Sequence, residues 1–325
     1  MASIRLSRMH ACNAMIAALA AFLWSLNVAA YSLEAIEDFG ENPGNLSMLA
    51  YFPASLSDRA ALVVIPHGCF QTVDYLAEHS GWIELADRYG FAILFPETNK
   101  ANEPFGACFR TWVPQHQARG VGEPRSLQQM IHWLLENRNL DPARVYIAGM
   151  SSGGLMASVM LATYPELFAA GAVQSAYPYK CATAFEELQP CSQAQKDLNE
   201  EILVQLLISG YPEYAGPRPP VSLWHGANDT LLVPANLDLQ LIQWAGALDA
   251  DPEEYELTMV DGHQRKQYRD SNDRLVLETW LLDGTSHAIA VSPGNSSPCG
   301  KVGDYFEDSG ICAAFWIADW FGLSD

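Results

Sequence analysis

Short apolar runs rich in β-branched and aromatic residues alternate with helical segments along most of this chain. "ALVVIPHG" at residues 61–68 ends in a Pro-His-Gly turn, and "FAILFPE" at residues 91–97 ends in Pro-Glu. Between them, "YLAEHSGWIELADRYG" has the apolar spacing of a helix. Both apolar runs have the length of buried strands. Strand and helix in turn predict the α/β class, with a mostly parallel central sheet and helices on both of its faces.

The alternation continues towards the C-terminus. Ser126 is predicted to cap a helix whose apolar residues recur at helical spacing as far as Leu135. Asp141 and Pro142 are predicted to end that helix, and the strand "RVYIAGM" follows them. Three further strands are predicted at residues 168–176, 221–226 and 274–284.

No internal repeat and no linker rich in Ser, Thr or Pro divides the chain from Tyr31 onwards. We therefore predict one domain over residues 31–325. Residues 180–220 interrupt the alternation with two cysteines and a group of tyrosines and prolines. We predict that this segment is an insertion over the edge of the sheet where an active site would lie.

The N-terminal stretch has the pattern of an export signal. Arg5 and Arg8 precede a long apolar run, and the small residues "VAA" end the stretch. We predict a signal peptide over residues 1–30 that is cleaved before Tyr31, and hence a secreted protein, either extracellular or periplasmic. The alternative is an uncleaved membrane anchor, because the apolar run is long for a signal.

The charge of the chain limits its partners. It carries 18 basic and 38 acidic side chains, and removal of the leader with its two arginines leaves a formal charge of −22. An acidic surface repels nucleic acid and anionic lipid. We therefore expect no nucleic-acid partner and, after the signal is cleaved, no membrane association.

Six cysteines follow the leader, and an even number in an exported chain favours disulfides. Six cysteines allow fifteen pairings. Proximity along the chain makes two pairs the simplest and leaves a third: Cys181 with Cys191, Cys299 with Cys312, and Cys69 with Cys108. A zinc site is the alternative, but no Cys-x₂-Cys or His-x₃-His spacing occurs, so we expect no metal.

The stretch "YIAGMSSGGLMAS" contains a Gly-x-Ser-x-Gly motif between a predicted strand and a predicted helix. In a nucleophile elbow, glycines flank the serine because the strained turn brings other backbone close to it. Gly149 and Gly153 place Ser151 at the centre of the motif, whereas a frame centred on Ser152 would need glycine where Met150 stands. Ser151 is therefore the candidate nucleophile.

A serine hydroxyl becomes a good nucleophile when a histidine takes its proton and a carboxylate orients that histidine. In the elbow-containing hydrolases the chain order is Ser, then Asp or Glu, then His. Asp229 lies in a loop directly after a later predicted strand, and His287 lies just beyond the next strong strand. We predict that Asp229 is the acid and His287 the base.

Other acids and histidines in the chain could compete with this pair. Asp261 and His263 could serve geometrically, but they lie in a polar turn before the last predicted strand. His225, directly after a strand, is expected to pack near the site rather than to titrate in it. Three other histidines have no motif around them, and surface or helix-packing roles are expected for them: His79, His116 and His132.

An acyl-transfer site also needs two backbone N–H groups that stabilise an oxyanion. The residue after the nucleophile supplies one, and the loop after an earlier strand supplies the other. We predict Ser152 and Cys69 as these donors, so that the Ser152 hydroxyl is incidental and Ser152→Ala is tolerated. A disulfide between Cys69 and Cys108 would hold the second donor in place.

Eight stretches taken together resemble the catalytic domain of poly(3-hydroxybutyrate) depolymerase family esterases. They cover roughly residues 45–325 and are, in order, "HGCFQT", "SGWIELADRYGFAILFPE", "CFRTW", "RGVGEPRSLQQMI", "LDPARVYIAGMSSGG", "YPELFAAGAV", "WHGANDTLLVPAN" and "CGKVGDYFEDSGICAAFWIADWFGL". The resemblance implies an α/β-hydrolase fold without metal or organic cofactor. It also implies Ser151, Asp229 and His287 as the triad and Cys69 as part of the oxyanion loop.

The chain departs from the family pattern in two ways. Secreted polymer-degrading members usually carry a linker and a polymer-binding domain after the catalytic one. The resemblance to the catalytic domain extends here to the last residues of the chain, so we expect no separate polymer-binding domain. The family motif around the histidine commonly reads Gly-His, whereas Ser286 precedes His287 in this chain.

These observations lead to three functional hypotheses. The first is a secreted serine esterase that hydrolyses short-chain polyester, poly(3-hydroxybutyrate) or its oligomers, through an acyl-enzyme. The second is a feruloyl or acetylxylan esterase acting on plant polysaccharide, in which Trp112 would stack on the substrate, although Trp112 could equally belong to the core. The third, more distant, is a binding protein that kept the hydrolase fold and lost catalysis.

Overall fold

A ten-stranded, mostly parallel sheet forms the centre of the protein in a computed structural model that describes residues 31–294 and 299–324. The signal peptide predicted at residues 1–30 lies outside the described residues. The sheet strands are, in chain order, β1 (Glu34–Ile36), β2 (Ser47–Tyr51), β3 (Ala60–Val64), β4 (Ala92–Glu97), β5 (Leu140–Met150), β6 (Ala170–Gln174), β7 (Val221–Gly226), β8 (Glu256–Val260), β9 (His263–Arg269) and β10 (Leu275–Leu282).

The strand order in the sheet is β1-β2-β4-β3-β5-β6-β7-β10-β9-β8. Six neighbouring strands from β4 to β10 run parallel to one another. β1 and β2 are antiparallel additions at one edge, and β9 and β8 are antiparallel additions at the other. The predicted α/β class is confirmed, and the structure adds four antiparallel edge strands to the predicted parallel core.

Eight α-helices connect or follow these strands within the described residues. They are α1 (Val73–His79), α2 (Trp82–Tyr89), α3 (Gly122–Asn137), α4 (Ser152–Thr163), α5 (Leu188–Ser192), α6 (Glu200–Ile208), α7 (Ala235–Leu248) and α8 (Ala313–Trp320). Short 3₁₀ turns cover Pro114–His116, Pro165–Leu167 and Phe185–Glu187. A separate two-stranded sheet pairs β11 (Ile289–Val291) with β12 (Phe306–Asp308) in parallel.

Helices cover both faces of the parallel core. Alternate residues such as Leu62 and Ile147 belong to one buried cluster, which also contains the apolar residues of α3, α4 and α7. On the opposite face, Tyr146 stacks on Phe321 directly after α8, with ring centroids 4.7 Å apart. Both faces of the strands are therefore buried, which explains why the strands are continuous apolar runs rather than alternating ones.

Two predicted helix boundaries are wrong. α3 begins at Gly122, so Ser126 lies inside the helix, where its buried Oγ accepts a hydrogen bond from the Gly44 amide at 2.8 Å. α3 also ends at Asn137, and the Asp141-Pro142 pair lies within β5. Ser126 looks like a helix cap in the sequence, but the hydrogen-bond partner of its hydroxyl is Gly44, which lies 82 positions earlier in the chain.

The segment predicted as one helix over residues 75–90 is two helices, α1 and α2. The chain turns at Gly81, whose φ of 84° lies in the left-handed region. A Cβ atom there would lie 2.5 Å from Cys299 Sγ, so close approach of the C-terminal part also requires glycine. The break is thus caused by tertiary packing as well as by local backbone geometry.

The structure contains three disulfides, Cys69–Cys108, Cys181–Cys191 and Cys299–Cys312. These are the same three pairs as in the simplest scheme from the sequence. The first joins the loop after β3 to the loop after β4. Over the described ranges, no helix has both the length and the apolar character needed to span a bilayer.

The segment at residues 180–220 has two parts with different neighbours. Phe185 and Leu188 line a cavity that also contains Ser151. α6 packs instead on α7, where Gln243 Nε2 donates a hydrogen bond to the Leu203 carbonyl at 3.0 Å. Only the first part of the segment therefore lies beside the candidate active site.

Candidate active site

Ser151 stands at the sharp turn between β5 and α4, with φ 56° and ψ −123°. Such a backbone conformation is strained for a residue with a side chain, and strain of this kind is concentrated at functional sites. A Cβ on Gly149 would lie 2.3 Å from the Gly153 carbonyl oxygen, and a Cβ on Gly153 would lie 2.0 Å from the Pro66 carbonyl oxygen. The two glycines are therefore a steric requirement of a turn that presents Ser151.

His287 and Asp229 reach Ser151 from the loops after β10 and β7, which are adjacent parallel strands. His287 Nε2 is 2.9 Å from Ser151 Oγ, and His287 Nδ1 is 2.6 Å from Asp229 Oδ2. A serine, a histidine and a carboxylate in this order can transfer the serine proton to the imidazole and stabilise the resulting cation. The structure thus brings together the three residues that the sequence singles out.

The carboxylate of Asp229 is buried and held in one orientation. Its Oδ1 accepts hydrogen bonds from the Leu231 and Leu232 amides, both at 2.9 Å, which leaves Oδ2 for His287. Burial alone would raise the pKa of this carboxyl. The hydrogen bonds from His225, His287 and the Leu232 amide outweigh burial and hold the pKa well below its usual range. Asp229 is therefore ionised at neutral pH.

The loop of His287 is held from behind by the small β11–β12 sheet. Glu307 Oε2 accepts hydrogen bonds from the Ser286 amide at 2.9 Å and from the Ser286 hydroxyl at 2.7 Å. On the other side, a Cβ on Gly226 would lie 2.3 Å from the Ser286 carbonyl oxygen. Glycine at the end of β7 thus allows the loop of Asp229 and the loop of His287 to approach each other.

His225 packs against the acid, as the sequence suggests. Its side chain is fully buried, and Nε2 lies 2.7 Å from the Leu232 carbonyl oxygen and 3.5 Å from Asp229 Oδ2. These contacts connect His225 to both ends of the turn that holds Asp229. His225 therefore lies beside Asp229 in the site.

The competing residues have other partners. Asp261 lies in the turn between β8 and β9. His263 Nδ1 accepts a hydrogen bond from the Asp283 amide at 3.1 Å, and Nε2 lies 2.9 Å from the Ser309 carbonyl oxygen. Both ring nitrogens of His263 are thus engaged. Three further histidines bond to groups other than Ser151: His79, His116 and His132.

The two predicted oxyanion donors flank Ser151. Ser152 is the first residue of α4, and Cys69 follows β3; both residues line the cavity that contains Ser151. Among the described residues, neither main-chain N–H donates a hydrogen bond to a protein group. Two free N–H groups beside Ser151 can bind a developing negative charge on oxygen.

The Ser152 side chain has a structural contact that the sequence does not reveal. Its buried Oγ accepts a hydrogen bond from the Phe109 amide at 2.8 Å. Phe109 is fully buried and follows Cys108, the disulfide partner of Cys69. The expectation that this hydroxyl is incidental is therefore wrong, because it accepts a hydrogen bond from a buried N–H in the loop that the disulfide joins to Cys69.

His67 supports the site, although no motif in the sequence identifies it. Its ring is buried, Nε2 accepts a hydrogen bond from the Thr98 amide at 3.2 Å, and Nδ1 lies 2.7 Å from the Gly68 carbonyl oxygen. Nδ1 must therefore carry the proton and donate it to Gly68. Burial lowers the pKa of His67, which favours this neutral form. The Gly68 carbonyl and the Cys69 N–H belong to the same trans peptide and point in opposite directions. The hydrogen bond from His67 to that carbonyl therefore directs the Cys69 N–H away from His67.

Two cavities meet at Ser151. The larger has a volume of about 420 Å³ and mostly apolar walls that include Trp112, which packs edge-on against Phe185 with centroids 6.3 Å apart. The smaller, of about 170 Å³, is lined by His287 and Gln71 as well as by Ser151. A third cavity of about 410 Å³ adjoins His287 on its outer side.

Large apolar side chains surround the mouth of the larger cavity. Each of four lining residues has more than half of its surface exposed: Phe70, Phe105, Phe185 and Leu231. Exposed apolar residues are common singly, but a group of them around one opening marks a binding surface. In the part of the chain that the structure describes, no group of three or more His, Cys, Asp or Glu side chains could hold a metal ion.

Comparison with known proteins places the chain among esterases. The family described as Esterase PHB depolymerase matches residues 46–252. Poly(3-hydroxyalkanoate) depolymerase C of Paucimonas lemoignei is 35% identical over 294 residues, which cover 90% of this chain and 70% of that protein. Acetylxylan esterase A of Aspergillus oryzae is 35% identical over 233 residues, which cover 68% of this chain and 73% of that protein.

Among solved structures, an acetyl xylan esterase from Aspergillus awamori superimposes with a TM-score of 0.74 at 25% identity. The match covers 90% of this chain and all of that one. The shared fold is therefore that of an α/β-hydrolase esterase.

Proposed function

The chain belongs to the Esterase PHB depolymerase family of carboxylic ester hydrolases, and on this basis we propose that it is a secreted serine esterase for short-chain hydroxyalkanoate polyester. Its substrate would be poly(3-hydroxybutyrate) or oligomers of it. The observation that carries the proposal is the line of hydrogen bonds from Asp229 through His287 to Ser151, at the meeting point of two cavities. No metal or organic cofactor is needed for this chemistry.

In the acylation step, Ser151 Oγ attacks the ester carbonyl carbon while His287 Nε2 takes the serine proton. Asp229 accepts the Nδ1 hydrogen bond and stabilises the imidazolium. The amides of Cys69 and Ser152 bind the oxyanion, and each such donor typically contributes about 2.7–4 kcal/mol of transition-state stabilisation. His287 then gives its proton to the departing alkoxide oxygen, and Ser151 is left as an acyl ester.

In the deacylation step, water attacks the acyl-enzyme with His287 again as the base. The proton returns to Ser151 Oγ as the acid is released. Because His287 must reach the oxygen of the leaving group, the alcohol part of the ester lies in the cavities lined by His287. The acyl part then extends into the larger cavity, which His287 does not line.

The size and character of the larger cavity support an acyl group longer than acetyl. About 420 Å³ lies in the range of cavities that enclose drug-sized ligands, and an acetyl group would fill only a small part of it. The exposed apolar rim formed by Phe70, Phe105, Phe185 and Leu231 suits contact with a water-insoluble polyester.

Secretion is supported by covalent structure as well as by the predicted leader. Three disulfides join all six cysteines that follow the predicted leader. Disulfides persist in oxidising compartments and are rare in the cytosol. We therefore propose that the chain from about Tyr31 onwards functions as one catalytic domain outside the cytoplasm.

A second candidate is an esterase for acetyl or feruloyl groups on plant polysaccharide. It is favoured by the 35% identity to acetylxylan esterase A. Trp112 and Phe185 meet edge-on in the larger cavity, where they could hold an aromatic acid. This candidate shares the mechanism above and differs only in the group that occupies the cavity.

Parallel assays on four substrates test both candidates. Wild type, Ser151→Ala and a matched control, Ser158→Ala in the helix α4 that follows Ser151, are given p-nitrophenyl butyrate, amorphous poly(3-hydroxybutyrate), methyl ferulate and acetylated xylan. We expect release of hydroxybutyrate products by wild type and the control, and none by Ser151→Ala. Release of ferulate or acetate alone would replace the first candidate by the second. Full activity of Ser151→Ala would refute the site itself.

A further inference from the structure

The cavity of about 410 Å³ on the outer side of His287 continues the smaller cavity beside Ser151. It is lined by parts of residues 230–231, 286–288 and 302–307, and we call it the alcohol-side cavity. In the proposed mechanism His287 protonates the leaving oxygen, so the alcohol part of the ester enters these two cavities. Three lining residues are common to both: Leu231, His287 and Tyr305.

The wall of the alcohol-side cavity carries one carboxylate, that of Glu307. Among the described residues that line this cavity, no other is acidic and none is Lys or Arg. Lys301 is adjacent in sequence to this wall, but its Nζ lies 3.2 Å from Glu78 Oε1 in α1. No Lys or Arg side chain in the wall therefore offsets the negative charge of Glu307.

The carboxylate of Glu307 is fixed beside the base of the reaction. Its Oε2 accepts both hydrogen bonds from Ser286, the residue before His287, and β12 pairs Glu307 with Ala290 of β11. These contacts keep the carboxylate from turning away from the cavity. Asp229 already offsets the positive charge that His287 gains when it takes the serine proton. An alcohol group in this cavity therefore meets the negative charge of Glu307.

The alcohol part of a hydroxybutyrate chain is neutral at every ester bond but one. Within the chain it carries the next ester group, which has no charge. At the bond nearest to the carboxyl end, the alcohol part is a terminal hydroxybutyrate, whose free carboxylate is close to the scissile oxygen along the chain. Like charges in one cavity repel each other, and the repulsion is stronger where water is partly excluded.

We propose that Glu307 excludes a free carboxylate from the alcohol-side cavity, so that the ester bond nearest to the carboxyl end of a chain is cleaved poorly. The linear dimer of hydroxybutyrate has only this bond. The dimer acid should therefore accumulate during digestion of longer chains. This inference rests on the proposed function and specifies which bonds of an oligomer are cut.

The test compares the dimer acid, 3-(3-hydroxybutyryloxy)butyrate, with its primary amide. The amide has nearly the shape of the carboxylate but no charge, and each compound contains one ester bond. Loss of substrate is followed by chromatography at neutral pH. Repulsion between two unit charges at close range corresponds to about 5-fold even at the dielectric constant of water. We therefore expect kcat/KM of wild type to be higher for the amide by about 5-fold or more.

Variants of the wall assign this preference to one charge. Glu307→Gln keeps a carbonyl oxygen that can accept from Ser286, and it should lower the preference to about 2-fold or less. The preference is a ratio of two substrates in one variant, so a general loss of catalysis cancels. Val302→Lys places a cation at a lining position that is 58% exposed, and it should also lower the preference, whereas Val302→Gln should not.

Two controls address the net charge of the protein and the folding of the variants. Asp308→Asn removes an equal charge from the next residue of β12, which does not line the cavity, and should leave the preference nearly unchanged. Added salt tests wild type alone. Raising ionic strength from about 0.01 M to about 1 M shortens the screening length from about 30 Å to about 3 Å, and this should lower the preference.

The outcomes distinguish the inference from the proposed function. Equal kcat/KM for the dimer acid and the amide in wild type would overturn exclusion by Glu307 and leave the esterase assignment intact. A preference that is unchanged in Glu307→Gln, or that falls equally in Asp308→Asn, would overturn it as well. Failure of wild type to hydrolyse either dimer or amorphous poly(3-hydroxybutyrate), with activity on p-nitrophenyl butyrate, would instead overturn the proposed polyester substrate.

Discussion

Replacement of Ser152 by alanine should destabilise the protein without abolishing activity. The change removes the acceptor of the Phe109 N–H, a group in a fully buried residue. An unsatisfied buried donor costs about 1–3 kcal/mol of unfolding free energy. For a domain of this size, such a loss lowers the melting temperature by roughly 2–10 °C. The local geometry of Ser151 should persist, since the Ser152 main chain is unchanged.

The effect on catalysis should be smaller than the loss of an oxyanion donor. Removing a donor lowers kcat by about 100- to 1,000-fold. Ser152→Ala keeps its N–H and perturbs the other donor only indirectly, through Phe109 and the adjacent Cys69–Cys108 disulfide. We expect kcat/KM on p-nitrophenyl butyrate to fall by less than about 10-fold.

Ser158→Ala is the matched control for this prediction. Ser158 lies in the same helix and is equally buried, but its Oγ has no hydrogen-bond partner among the described residues. Its replacement should leave stability unchanged or raise it slightly. Urea and thermal unfolding of the oxidised proteins, followed by circular dichroism, measure the difference. Equal stabilities of Ser152→Ala and Ser158→Ala would refute the reasoning.

Three further predictions concern the acid, pH and the covalent frame. Asp229→Asn should lower kcat by about 10⁴-fold, because an amide favours the wrong tautomer of His287. The melting temperature should change little, so that loss of fold does not explain the loss of activity. A decrease in kcat of less than about 10-fold would contradict the role of Asp229. Burial would raise the pKa of Glu103, but hydrogen bonds from four backbone N–H groups lower this pKa overall in the folded protein. The ionised Glu103 carboxylate therefore stabilises the folded state fully above the pKa of about 4.3 in the unfolded chain. This stabilisation is lost as the pH falls towards the pKa of Glu103 in the folded protein. Glu103→Gln should therefore reduce the difference between the urea unfolding midpoints at pH 7 and pH 4. An unchanged difference would contradict this role of Glu103. Replacing both Cys69 and Cys108 by alanine should cost about 4 kcal/mol, from the 39-residue separation, and should lower kcat by loosening an oxyanion donor; unchanged stability would contradict this.

Local patterns were sufficient for the parallel core and for the identity of the three central side chains. Buried parallel strands are continuous apolar runs, so β3 to β7 and β10 are visible without knowledge of their neighbours. The elbow frame is equally local, since the steric demands on Gly149 involve Gly153 in the next turn of the same motif. Chain order then selected Asp229 and His287 from several candidates.

Local patterns failed where the deciding contact is distant in sequence. The antiparallel edge strands β1, β2, β8 and β9 lack a continuous apolar run, because some of their residues face solvent. Ser126 looks like a cap until its partner, Gly44, is known. The helix predicted over residues 75–90 breaks at Gly81 because Cys299 lies against it.

The sequence by itself determined the fold class and selected Ser151, Asp229 and His287 as the candidate triad, because these depend on periodicity, on short glycine spacing and on chain order. Only the tertiary structure decided which polar atoms find partners. It pairs Ser152 Oγ with the Phe109 amide, and it directs the Cys69 amide through the hydrogen bond from His67 to the Gly68 carbonyl. Hydrogen-bond satisfaction depends on atoms brought together by folding, and no spacing along the chain encodes it.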